Sequence, residues 1–296
     1  MKGKILLLAA VLVAIGIVIY TRSQPEVAPP SPVGERSGIV ERVGAGVIST
    51  DRNETFPAID PVTGTLYYSV YDDSFDEQTI MFARQDGAGW GEPQIAPFSG
   101  RWKDRAPRFS ADGTILYITS NRPGMRPNDG IEMDLWMIRR NGSKWGPPVP
   151  QGYPTNSWSN DMHAGVTDGD LWFASDRESS LGGADIYHVS YDGTETHLPA
   201  PVNSELSQPD LWISNDESWM ILVITDHPDG HGGDDLYLSR LYGDAWSVPT
   251  NLGPEVNSAE YEYGPAVSPD GEYLYFTSHR GGNADIYRVP LRLVVE

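Results

Sequence analysis

Apolar and polar positions in this chain alternate in short bursts, with scarcely any helical period beyond the first twenty residues. The clearest stretch is Glu262 to Tyr287, EYGPAVSPDGEYLYFTSHRGGNADIY. PAVS is a short apolar run, SPDG is a turn tetrapeptide, and EYLYFTS is rich in β-forming aromatics. HRGGNA is a glycine-bearing loop, after which DIYRV resumes the strand pattern. The same order recurs at Arg105 to Arg139, Met162 to Val189 and Asp210 to Arg240, with a looser copy at Phe56 to Arg84. The turn glycine, or its replacement, falls at Gly64, Gly113, Gly169, Glu217 and Gly271, a period of roughly fifty residues. A fourth segment follows three of the cores: AGWGEPQI, SKWGPPVP and DAWSVPTNL. The pattern predicts an all-β chain, a five-bladed β-propeller of four-stranded antiparallel blades.

The fifth copy ends in VPLRLVVE without such a fourth segment, while Val43 to Asp60 aligns with Leu252 to Ser268. Ile39 to Ile48 is therefore expected to be the outer strand of the last blade, closing the ring and covering a sheet edge.

The S-[PA]-D-G turn, the apolar strand ending in S-x-R, the glycine loop and D-[IL]-[YW] together resemble the TolB-type β-propeller repeat. That repeat, the PD-repeat, is distantly similar to WD-repeat blades. The resemblance covers about Ile39 to the C-terminus and implies a fold common in bacterial envelope proteins. It leaves function open, because such propellers include partner-binding proteins, protease-associated domains and polysaccharide-active enzymes.

The one stretch outside the β pattern is N-terminal. MKGK is followed by an apolar run from Ile5 to Tyr20 and then TRSQP. Residues 1–22 are expected to be a signal peptide or an uncleaved signal anchor. The absence of a small-x-small cleavage site favours a transmembrane anchor. Either would carry the rest out of the cytoplasm, with Lys2 and Lys4 retained inside, and an anchor would hold it at the inner membrane on the periplasmic side. Residues 23–38, SQPEVAPPSPVGERSG, form a proline-rich linker too polar to build a core. The propeller is expected over 39–296.

Composition narrows the partners. The formal net charge is −20, and the first 37 residues contribute four basic and two acidic groups, so the repeat region is more acidic still. Such a surface repels nucleic acid and anionic membranes. Cysteine is absent, which excludes disulfides and a thiol nucleophile. No G-x-S-x-G, H-E-x-x-H or P-loop occurs.

Some repeated residues read as structural. Arg122, Arg177 and Arg280 end S-x-R, and Asp134, Asp185 and Asp285 open D-[IL]-[YW]. Their joint loss in the first copy suggests an intrablade ion pair. Trp90, Trp145 and Trp246 read as packing residues. The loop TDHPDGHGGDD, with His227, Asp229, His231 and Asp234, is weak evidence for metal. No cofactor is expected, with Ca2+ kept as an option.

Antiparallel order sends the tight turns to one rim and the long connections to the other. The long ones are Asn121 to Glu132, Asp176 to Ala184, Asp226 to Asp234, Gln151 to Asp161 and Val202 to Gln208. On that rim each inner strand begins with a polar register residue: Glu54, Asp104, Asp161, Gln208 and Glu262. Trp102, Trp158 and Tyr261 lie just upstream, and His163 two residues past Asp161. Those nine residues form the candidate ligand-binding set, with no catalytic assignment. Aromatic platforms beside carboxylates suit a sugar or a peptide.

Three functions compete. The first is a non-catalytic propeller binding a protein or peptide on the long-loop rim. The second is a carbohydrate-active hydrolase or lyase using two of Asp104, Asp161 and Glu262. The third is a calcium-stabilised lectin-like module.

Overall fold

The structure, a computed structural model, describes residues 39–295 apart from 73, 75–76, 88 and 125–131. The N-terminal segment and linker expected over 1–38 lie outside the described residues, as does most of the connection Asn121 to Glu132. Among the described residues no helix is long and apolar enough to cross a membrane.

The described chain is a five-bladed propeller of antiparallel sheets. The inner strands are Asn53–Ile59, Asp104–Phe109, Asp161–Val166, Asp210–Ile213 and Glu262–Val267. Each pairs with a second strand, and that with a third, in sequence order. The second strands lie between neighbouring sheets and are buried on both faces, as in Leu66–Tyr71, where all six residues are buried. Outer strands are short: Gln94–Ile95, Val149–Pro150, Glu195–His197 and Thr250–Asn251 in blades 1 to 4.

In blade 5 the outermost pair is Glu41–Arg42, with Glu41 opposite Arg288 and Arg42 opposite Tyr287. The strand is much shorter than Ile39 to Ile48, because the chain turns at once after Val43 and drives Ile48 inward. Val43 N–H still donates to Ile286 O, at 2.8 Å, and Ile48 is fully buried.

Among the described residues the core is five apolar seams, one per blade interface, and a small cluster of Phe56, Tyr71 and Ala106 near the axis. The seam between blades 5 and 1 gathers Val43, Ile48 and Tyr68 with Tyr275 and Ile286, and that between blades 2 and 3 gathers Leu135 with Phe173 and Tyr187. The repeated tryptophans pack where expected. Trp145 lies in the seam between blades 1 and 2 and donates to Tyr67 Oη across it at 3.1 Å, and Trp246 meets Trp172 edge-on at 6.1 Å. Wide rings fill the wedge between sheets that diverge outward.

The tight turns show why the repeat conserves its letters between copies. In blade 2 the Ser110 hydroxyl donates to Asp112 at 2.7 Å, and Asp112 accepts from Thr114 N–H at 2.9 Å. Gly113 then takes a left-handed φ of 67°. Ser268, Asp270 and Gly271 repeat the device in blade 5. In blade 4 Glu217 occupies the glycine position at φ 56° and uses its side chain to accept from Thr167 of blade 3 at 2.6 Å.

Candidate functional site

The five register residues are all buried. They lie just under the rim, where each inner strand enters the sheet. Asp104 accepts from Ser99, Ser120 and Arg122 at 2.9, 2.6 and 2.5 Å. Asp161 accepts from Ser157 N–H at 2.5 Å and Arg177 Nη2 at 2.7 Å. Glu262 accepts from Ser258, Ser278 and, at 3.5 Å, Arg280. Glu54 has no arginine and takes the backbone and hydroxyl of Thr50 at 2.9 and 2.6 Å, and burial pushes its pKa up. Gln208, the uncharged member, bonds to Ser204 and to Leu206 O.

This corrects the expected ion pair. The S-x-R arginines bond the register acids and not the aspartates that open the third strand. Asp185 instead accepts from Leu181 N–H at 2.9 Å and faces His197 at 2.7 Å, while Asp285 holds Arg42 at 2.7 Å. The loop His227, Asp229, His231 and Asp234 does not converge: Asp235 accepts from His231 and Gly232 N–H, and Asp234 takes the Thr225 hydroxyl. Among the described residues the one set spaced to hold a metal ion is Asp170, His188 and Glu217, between blades 3 and 4, where His188 stacks on Trp172.

The aromatic members fare differently. Trp158 is 69% exposed and Tyr261 48%. Trp102 is half-buried beneath the Arg101 guanidinium, 5.3 Å from its ring. Trp158 shares a cavity of about 240 Å3 with Tyr153, Gln151, Asn156 and Asp134. Tyr153, which the register did not single out, is 85% exposed. Its signal was present in the sequence, as an aromatic inside a connection longer than its geometry requires.

His163 lies elsewhere, on the propeller axis. Two residues after the register, the inner strands of blades 1, 2, 3 and 5 shift register at a β-bulge. Phe56, Ala106, His163 and Gly264 there take left-handed φ of 51°, 50°, 55° and 64°, a conformation unfavourable for any residue but glycine. A neighbouring blade compensates by accepting the bulge amide: Ser69 Oγ from Ala106, Thr119 Oγ1 from His163 and Thr277 Oγ1 from Phe56, all at 3.0 Å. Blade 4 has Ile224 in place of that hydroxyl, and Gly264 N–H is accepted by Asp210 at 2.9 Å. Asp210 occupies the bulge position of blade 4, which runs in register.

The axis is therefore filled by unlike side chains. Phe56 reaches across it to His163, with centroids 4.7 Å apart, and touches Tyr263 at 5.2 Å. His163 Nδ1 faces Pro209 O at 2.7 Å, and its Nε2 is buried without a partner. Burial, with Arg105 and Arg108 nearby, holds its pKa well below the ordinary histidine value. Burial pushes Asp210 up to about 6 against the pull of Arg108.

A histidine held neutral in this way contributes stability that is full above its unfolded-state value and is lost as pH falls below about 6.5. Asp210, with a raised value, contributes with the opposite sign: the fold gains as pH drops through about 6. Urea denaturation of the wild type and of His163→Asn, which tolerates left-handed φ and keeps Asp210, separates the two. The wild type is expected to lose up to about 1.4 kcal/mol per pH unit relative to the variant below about 6.5. Parallel stability–pH curves would remove His163 as the cause.

No family model matches the chain, and no curated protein matches it. Solved structures do. An endo-arabinase from Bacteroides thetaiotaomicron is 13% identical, covers 84% of this chain and 97% of its own, and superposes with a TM-score of 0.50. A protein assigned as TolB from Agrobacterium tumefaciens is 19% identical over 77% of this chain and 71% of its own, at 0.49. TolB from Acinetobacter baumannii is 13% identical over 80% of this chain and 63% of its own, at 0.42. At these identities the likeness is one of fold. The propeller that the TolB-type repeat implied is the fold of the chain.

Proposed function

We propose that the chain is a non-catalytic binding propeller that holds a protein or peptide segment on the rim of the long connections. The observation that carries this reading is the pair Tyr153 and Trp158, both largely exposed beside a mainly apolar cavity that Pro150 and Gly152 also line. Exposed aromatics beside a concave apolar surface are the anchors that interfaces use. The carboxylates of this rim argue against hydrolysis. A glycosidase needs one acid open to the leaving group and another open to water or the sugar. Both oxygens of Asp104, Asp161 and Glu262 are already held by serines, backbone or arginine.

The N-terminal assignment belongs to the same proposal: a signal peptide or anchor over 1–22 and a spacer over 23–38 place the rim outside the cytoplasm. So does closure of the ring by Glu41–Arg42.

The test is selection from a displayed random-peptide library against the wild type and the Tyr153→Ala, Trp158→Ala double variant. The wild type is expected to enrich a consensus whose affinity falls about tenfold or more in the variant, with an unchanged melting temperature because both side chains are exposed. Equal enrichment by the two proteins would defeat the reading. An oligosaccharide array bound only by the wild type would keep the site and move its ligand to sugars.

A further inference from the structure

On the tight-turn rim, where blades 3 and 4 meet, three side chains depart from the repeat at one place. Asp170 follows the turn glycine of blade 3, where the other copies carry Thr65, Thr114, Ser218 and Glu272. Glu217 stands in the glycine position of blade 4. His188 is the fourth residue of the segment that Asp185 opens, where the other copies have Phe82, Met137, Leu238 and Arg288. Residues that build every blade are repeated, and these three are not.

One ligand atom from each lies within 4.8 Å of the other two, and His188 Nε2 is 2.8 Å from Asp170 Oδ2. Each carboxylate has one oxygen held by the protein. Tyr191 N–H donates to Asp170 Oδ1 at 2.8 Å, and the Thr167 hydroxyl donates to Glu217 Oε1 at 2.6 Å. The His188 ring is oriented by its stack on Trp172, with centroids 4.3 Å apart and planes 24° from parallel. Supporting donors and a fixed ring are what hold metal ligands on their target. Among the described residues neither carboxylate pairs with a lysine or arginine, unlike Asp104 and Asp161. All three residues are partly exposed, the side chains of His188 and Asp170 by 18% and 23%, so an ion from solvent can reach them.

We propose that Asp170, His188 and Glu217 bind a divalent transition ion of the zinc class, which joins blade 3 to blade 4. An imidazole nitrogen with two carboxylate oxygens matches zinc, whereas calcium takes oxygen ligands and more of them. Ligands at zinc distances stand about 3.3–3.5 Å apart in a tetrahedron, so a spread of at most 4.8 Å closes by side-chain rotation. The ion takes the place of the proton between His188 Nε2 and Asp170 Oδ2, which passes to Nδ1 or, from a charged ring, to solvent. Two carboxylates and a neutral imidazole make the bound centre neutral, and water completes the coordination. The site is on the opposite rim from Tyr153 and Trp158 and does not depend on what binds there.

Calorimetric titration of the chelator-treated full chain with zinc chloride, and separately with calcium chloride, tests the assignment. The wild type is expected to take up zinc with a dissociation constant of about 10 μM or below, and calcium at least about tenfold more weakly. Glu217→Gly removes one ligand and installs the turn residue of the other four blades, at a left-handed φ that glycine adopts freely. His188→Phe removes another and keeps a ring on Trp172. Each is expected to weaken zinc binding by about tenfold or more, since loss of even a supporting partner costs about 10–100-fold. X-ray absorption at the zinc edge of the wild type, loaded with one equivalent, is expected to show one imidazole and otherwise oxygen ligands. Zinc is also expected to raise the melting temperature of the wild type and to leave that of Glu217→Gly unchanged. Zinc affinity unchanged in either variant would mean adventitious surface binding only. That result, no uptake of zinc, or calcium bound more tightly than zinc would overturn the proposal.

Discussion

Replacing Arg177 with alanine is expected to destabilise the fold by about 3–5 kcal/mol, because it strands a carboxylate that has no access to water. Arg177 Nη2 donates to Asp161 Oδ1 at 2.7 Å and to Thr155 O at 2.9 Å, while Nη1 donates to Glu195 at 2.6 Å. Its guanidinium also lies over the rings of Phe173 and Tyr187. Asp161 is fully buried, so its charge cannot be rescued by solvent. Adding Asp161→Asn to the alanine variant removes that charge and should restore part of the loss. The pair Arg288–Glu41 is a useful contrast. It has a similar distance, 2.7 Å, but is exposed, and breaking it should cost less than about 1 kcal/mol. Urea denaturation reads all three. An Arg177→Ala midpoint indistinguishable from wild type would mean that the register acids do not depend on their arginines.

A second large effect is expected at the joint between blades 5 and 1. A chain beginning at residue 39 should unfold cooperatively, whereas one beginning at residue 51 should lose on the order of 5 kcal/mol or more. The shorter chain lacks Val43 and Ile48, each worth about 1.5–3 kcal/mol of burial. It also deprives buried Asp285 of Arg42 and buried Glu54 of Thr50, and it bares the edge of Asp285–Pro290, an invitation to aggregation. Soluble yield and the urea midpoint are the measurements. Matching midpoints for the two chains would show that the N-terminal strand is not what holds these blades together.

The repeat was legible because turn chemistry is local. Ser-x-Asp-Gly at 110–113 and 268–271 dictates its own hydrogen bonds, and the variant turns at Gly64, Gly169 and Glu217 keep the same spacing, so five copies announce five hairpins without reference to neighbours. The arginine partner was not legible in the same way. Blades 2, 3 and 5 each offer two acids, one opening the inner strand and one opening the third, and linear spacing does not say which of them the arginine after the second strand faces. The register residues stood out by repetition, and repetition selects residues that build blades. The informative positions on the axis differ from copy to copy: Phe56, Ala106, His163, Asp210 and Gly264. Comparing copies for disagreement would have found them, though not their contacts.

By itself the sequence determined the class of fold, the number of blades and which rim carries long connections, since hydrophobic alternation and turn residues act over a few positions. Only the tertiary structure decided that the register acids are buried and spent on hydrogen bonds, and that Asp170, His188 and Glu217 meet between blades 3 and 4. Arg108 and Asp210 come from different blades and are brought to 3.8 Å by curvature of the ring. Burial, on which their charge, partners and chemistry depend, is a property of the assembled sheets and of no single segment.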